Sequence, residues 1–247
     1  GLMSDSDARR IAHNAQLAYR NSPRHDSRAA LELGNSVMIL LAGGDATQRS
    51  QAAAHLGELR HTATEKPLRL ALLDPSPAVR REVCNALGRS KSPSAAFAVA
   101  SCFHDPNLSV QISAIKAAGR LNNPAILPAI LKCFASPAQT VQTAAARSAG
   151  ILAPSATNAA TQNKCVKQLA AAAQSPSVSV RAAAVAALGR IAAPAGLAAI
   201  CAAAADREPL VRFQAAGALK KYTAPQAAKL LAALRKDPDP AVRSAAK

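Results

Sequence analysis

Seven cations are spaced so that they could act together: Arg81, Arg89, Lys116, Arg120, Arg147, Arg190 and Lys221. Guanidinium and ammonium groups in a row bind carboxylates or phosphates; without a nucleophile or base beside them they catalyse nothing. Their spacing follows a rule. Six segments carry an aligned valine, at Val79, Val110, Val141, Val180, Val211 and Val242, with intervals of 31, 31, 39, 31 and 31 residues. Gln48 takes the same place another 31 residues upstream. Counted from that position as zero, +10 holds Glu58, Arg89, Arg120, Ile151, Arg190 and Lys221. Position +6 holds Lys116 and Arg147, and +2 holds Arg81. At about 100° per residue, positions 0, +4, +7, +8 and +11 share one arc of a helix, and +2, +6 and +10 lie on the opposite one.

The charge balance points the same way. Thirty Lys and Arg stand against fourteen Asp and Glu, a net charge of +16. Between Val83 and Ala205 there are ten basic residues (Lys91, Lys132, Lys164 and Lys167 among them) and a single acid, Asp105. A stable surface usually mixes signs. A one-signed row, with Lys116 and Arg120 repelling each other four residues apart, reads as a binding site for an acidic partner. The expected partner is an acidic protein or a subunit of a larger assembly. Nucleic acid held by its phosphate backbone is the alternative. The near absence of aromatics, two Tyr, four Phe and no Trp, argues against base stacking and single-strand recognition.

Other reactive side chains carry less. No nucleophile elbow, phosphate loop or dinucleotide fingerprint occurs, so the sequence reads as that of a protein that is not an enzyme, with no catalytic residues and no cofactor. The five cysteines are odd in number and lack C-x-x-C spacing, and Cys84, Cys102, Cys133 and Cys201 sit among apolar neighbours. They read as reduced core residues. His13, His25, His55, His61 and His104 are scattered, so no metal site is expected. There is no membrane-length apolar stretch and no leader, and a cytoplasmic or organellar-matrix location is expected, not a secreted one.

The elements that must position the cations are helices. Each aligned segment opens on a pair such as Asp74-Pro75, Asp105-Pro106 or Ser175-Pro176, where Pro stops one helix and starts the next and Asp or Ser offers a capping oxygen. Apolar positions at helical spacing follow, then a glycine at Gly57, Gly88, Gly119, Gly150 or Gly189 that permits a turn or a close helix approach. Further helices are expected between these, over 67–73, 94–103, 125–134, 164–173, 196–205 and 226–234. No helix pair can bury its apolar face alone, so neighbours must stack.

The D-P-x-x-x-V-R opening and the A-L-G-R ending resemble HEAT repeats, in particular the short bacterial form found in phycobilisome lyases. The resemblance covers about residues 45–247. It implies an all-α fold, a right-handed α-α superhelix of about seven helix pairs, with the second helices lining a concave face. It also implies that the +1 arginines Arg80, Arg181, Arg212 and Arg243 join the aspartates at the repeat starts in a ladder. Residues 1–44 are expected as two capping helices, an eight-residue insertion falling within residues 153–162 as a surface loop, and the last repeat as incomplete. Two enzymatic relatives of this shape fit poorly. The iron-binding His-Glu pairs of deoxyhypusine hydroxylase are missing, and so are the aromatics of the alkylpurine glycosylases. A lyase subunit, which in that family acts as one of a pair of chains, remains an option.

Overall fold

The computed structural model describes residues 2–23, 26–90, 92 and 94–247; His25 and Lys91 lie outside the described residues. These residues form helices and turns with no strand among them. The all-α, α-α superhelix class read from the repeats is therefore correct. The chain divides into two units, residues 1–123 and 124–247.

The first unit holds α1 (Asp5–Arg20), α2 (Ser27–Ala42), α3 (Ala46–Leu59), α4 (Glu65–Leu70), α5 (Pro77–Arg89), α6 (Ala95–Ala100) and α7 (Leu108–Leu121). The longer helices pack in sequence, α1 on α2, α2 on α3, α3 on α5 and α5 on α7, while α4 and α6 cover one flank. The second unit repeats this plan with α8 (Leu127–Lys132), α9 (Gln139–Leu152), α10 (Ala159–Ala172), α11 (Val178–Ile191), α12 (Leu197–Ala203), α13 (Pro209–Leu219), α14 (Pro225–Leu234) and α15 (Pro240–Ala245). There α9, α11, α13 and α15 form the row of inner helices, and α8, α10, α12 and α14 pack along it.

Helix starts differ in one respect from the sequence expectation. The aspartate that opens a repeat does not cap the helix that follows, whereas Asp239, two residues after Asp237, does cap α15. Asp74, Asp105, Asp206 and Asp237 instead accept a hydrogen bond from the backbone N–H two residues on, closing a tight turn ahead of the helix. The helix then opens three residues after that aspartate, with proline as its first residue at Pro77, Pro209 and Pro240.

The cores consist of small residues around a few large ones. Leu33, Leu40, Leu56, Leu68, Leu87 and Ile115 are fully buried in the first unit, and Leu127, Ile130, Leu152, Leu169, Leu188 and Ile200 in the second. All six aligned valines are buried. With so much alanine, burial has to come from short distances between helices. The repeat glycine supplies them. A Cβ placed on Gly57 or Gly88 would lie 2.7 or 2.8 Å from the Cβ of Ala86 or Ala117. Gly150 and Gly189 meet Ala187 and Ala218 in the same way in the second unit. The glycine serves helix approach and not the turn, since the left-handed cap at the end of α11 falls on Ala192, three residues later.

The insertion is a loop only in part, irregular over residues 156–158. Ala153–Ser155 form a short 3-10 turn, and α10 already begins at Ala159, capped by the Asn158 side chain on the Thr161 N–H. The extra residues lengthen an outer helix to 14 residues where α4, α6 and α8 have 6. The composition around Ala159–Gln162 is polar, but a polar stretch next to a capping Asn also makes the exposed first turn of a helix.

Candidate binding surface on the inner helices

The +1 residue of each repeat decides which cations remain free. Arg80 donates from Nε and Nη2 to both carboxylate oxygens of Asp105, at 2.7 and 2.9 Å. Its Nη1 donates to the carbonyl oxygen of Asp74. Arg49–Asp74, Arg181–Asp206 and Arg212–Asp237 repeat this geometry. Each arginine thus ties the start of its own repeat to the aspartate that opens the next. These guanidiniums hold the carboxyls of Asp105, Asp206 and Asp237 below their ordinary range, and the carboxylates raise the arginines in turn. Arg243 makes only the carbonyl contacts, to Asp237 and Pro238. Arg49 was absent from the expected ladder, although it stands at +1 of the register set by Gln48.

The seven predicted cations sit elsewhere on the same helices. In the first unit Arg81, on α5, and Lys116 and Arg120, on α7, are exposed. Arg89 differs. It is half-buried, its Nη2 donates to Glu82 Oε1 at 3.0 Å, and Asn85 binds the other Glu82 oxygen. Sequence spacing places Glu82 at +3, one turn from +6 and two from +10, and that carboxylate was not weighed. In the second unit Arg147, on α9, Arg190, on α11, and Lys221, just past α13, are all exposed. Helices α7, α9, α11 and α13 carry no acidic residue. Among the described residues, the ion pairs at the starts of these helices are those of the ladder and the exposed Arg207–Glu208 pair ahead of α13.

Two of the seven are brought together. Arg190 and Lys221 line one cleft of about 450 Å³ between α11 and α13, with Gln214, Ala186, Gly217 and the Gly189–Ala218 contact. Its walls are small side chains and its rim is cationic.

Among the described residues no three His, Cys, Asp or Glu side chains cluster as a metal site requires. Burial pushes the thiols of Cys133 and Cys165 up to about 11, so neither is a nucleophile at neutral pH. His55 Nδ1 lies 2.8 Å from Ser36 Oγ, and His61 accepts from the Ala63 N–H. Among the described residues no helix is long and apolar enough to cross a membrane.

A family model described as HEAT repeats matches residues 34–107 and 166–247, well over half of the chain. No curated protein matches. Among solved structures, an engineered protein aligns over 98% of this chain and 72% of its own, at 20% identity and a TM-score of 0.57. The complex of CpcE and CpcF of phycocyanin lyase from Nostoc sp. PCC7120 aligns over 64% of this chain and 99% of its own, at 19% identity and a TM-score of 0.54. Human deoxyhypusine hydroxylase covers 98% of this chain and 94% of its own, at 18% identity and a TM-score of 0.40. The likeness to the lyase complex corrects one expectation. The chain was expected not to be an enzyme, yet the lyase complex has this fold, so stacked helix pairs do not exclude activity.

Proposed function

This chain belongs to the HEAT-repeat family, and we propose that it is an interaction scaffold whose inner helices hold an acidic protein segment. One observation carries the reading. Arg81, Lys116, Arg120, Arg147, Arg190 and Lys221 are exposed on the inner helices, while the arginines that hold the repeats together are a separate set already bound to carboxylates. Cations that serve the fold and cations that face solvent are thus divided by register. Within each unit, inner helices free of acids, α7 in the first and α9, α11 and α13 in the second, leave Lys116, Arg120, Arg147 and Arg190 with no carboxylate on their own helix, a state that self-repulsion disfavours unless a partner neutralises it.

Charge reversal tests this. Arg120→Glu, Arg147→Glu and Arg190→Glu together should weaken binding of a fluorescent hexaglutamate peptide at low ionic strength by about tenfold or more, with the helical circular dichroism unchanged. Equal binding by the parent and the variant would overturn the proposal.

A further inference from the structure

We propose that the cleft between α11 and α13 is the anchor of this surface, a seat for one carboxylate side chain of an acidic peptide held between Arg190 and Lys221. The proposal rests on the acidic-partner reading and narrows it to one place in the second unit.

Gly217 is the residue that singles the cleft out. It stands inside α13, at +6, in a right-handed helical conformation and exposed. Apart from its chain neighbours and the backbone of its own helix, no atom lies within 4 Å of where its Cβ would be. The repeat glycines are explained by an alanine pressed against them, as Gly189 is by Ala218. Gly217 has neither that reason nor a left-handed backbone, yet glycine in a helix interior costs about 1 kcal/mol relative to alanine. What it does provide is space. The same position holds Ala54, Asn85, Lys116 or Arg147 in other inner helices, and on the facing helix α11 it holds Ala186, the next smallest side chain. Together Ala186 and Gly217 leave the cleft open below its two cations.

The chemistry of the cleft selects a carboxylate on a peptide. An arginine fork matches the two oxygens of a carboxylate, and Lys221 adds a second charge. Arg190 lies in the last turn of α11 and Lys221 just past the end of α13, where helix carbonyls point outward. That negative end disfavours a multiply charged phosphate, which prefers helix N-termini, more than it does a singly charged carboxylate. Gln214 contributes a side-chain amide that both donates and accepts, as a peptide backbone beside the anchored side chain requires.

Two substitutions at Gly217 read the cleft without touching either cation. Gly217→Ala should raise the melting temperature and leave hexaglutamate binding near that of the parent. Gly217→Leu should fold as well as the parent, because leucine favours helix, and should weaken the peptide about tenfold by occupying the cleft, as the loss of one charge-assisted contact would. Parental binding by Gly217→Leu, alongside weakened binding by the Arg120, Arg147 and Arg190 reversal, would overturn the anchor and leave the wider surface standing. No effect from either variant would overturn both. Stronger displacement of the peptide by inorganic phosphate than by acetate would overturn the carboxylate assignment.

Discussion

Arg181 holds Asp206 across 25 residues of sequence, Nε on Oδ2 at 2.7 Å and Nη2 on Oδ1 at 2.9 Å. The two change type together along the chain. Where +1 is arginine, at Arg49, Arg80, Arg181 and Arg212, the next repeat opens on aspartate. Where it is glutamine, at Gln111 and Gln142, the next repeat opens on serine, Ser136 or Ser175. Electrostatics accounts for the coupling. A largely buried guanidinium or carboxylate left without its partner keeps the desolvation cost and loses the attraction, whereas a neutral pair avoids both.

Breaking one member of the pair should therefore cost more than replacing both. Asp206→Ser alone should destabilise by about 3 kcal/mol, the order seen when a buried pair loses one partner. Arg181→Gln with Asp206→Ser, which copies the Gln142 and Ser175 arrangement, should recover most of that loss. Urea unfolding of the two single variants and the double variant checks it through the coupling energy, and additive effects would contradict it.

Acid should weaken the fold through the same groups. The carboxyls of Asp105, Asp206 and Asp237 lie below their ordinary value of 3.8 in the folded chain. A depressed folded pKa contributes stability above the unfolded value that is lost as the pH falls through the folded one. Unfolding free energy should be flat above about pH 5 and fall increasingly below 3.8. The Arg181→Gln, Asp206→Ser variant, with one such carboxyl fewer, should show a shallower decline.

Gly189→Ala should destabilise even though alanine is the better helix former. Its Cβ would lie 2.6 Å from the Cβ and 2.8 Å from the Cα of Ala218. The obstacle includes backbone, so α11 and α13 must move apart. A loss of about 1–3 kcal/mol is expected from such overpacking, against about 1 kcal/mol gained in propensity. Calorimetric melting should show a lower midpoint, the reverse of the effect expected at Gly217.

How far the sequence could be read depended on what sets each feature. The helix pairs were legible because Val79, Val110 and their equivalents must all be buried, and a 31-residue register records that demand. The insertion was misread because the polar residues around Asn158 and Thr161 suit a loop and a capped first turn equally well; only the Asn158 hydrogen bond decides. Arg89 was placed on the correct helix, but its pairing with Glu82 depends on side-chain reach across two turns, which spacing does not fix. The cleft at Gly217 was not legible at all. A lone glycine at +6 looks like any other until the space beside it is seen to be empty.

The helical reading of the insertion has its own test. Asn158→Ala removes the side chain that accepts from the Thr161 N–H at the start of α10. A lost N-cap costs about 1 kcal/mol, whereas a residue in a solvated loop would change stability by a few tenths at most. Chemical denaturation resolves the two, and an unchanged midpoint would count against a capped helix at this place.

Salt dependence separates the acidic-protein reading from phosphate-backbone binding, because the same cations act differently in each. A duplex DNA probe held by several phosphates should lose affinity linearly in log–log salt plots, and each contact removed should flatten the slope by about 0.9. For an acidic peptide anchored at one carboxylate the effect is divided. Arg120→Ala and Arg147→Ala, neither of which lines the cleft, should slow association mainly at low salt, since rim charges steer the encounter. Arg190→Ala should instead speed dissociation, because it removes the guanidinium that holds the anchored carboxylate. Stopped-flow or surface-based kinetics at several salt concentrations give both rates. If all three arginines change association alone, the cations form a uniform attractive field with no anchor. If DNA binds with a slope that falls in step with each substitution while the peptide is indifferent, the partner is a phosphate backbone.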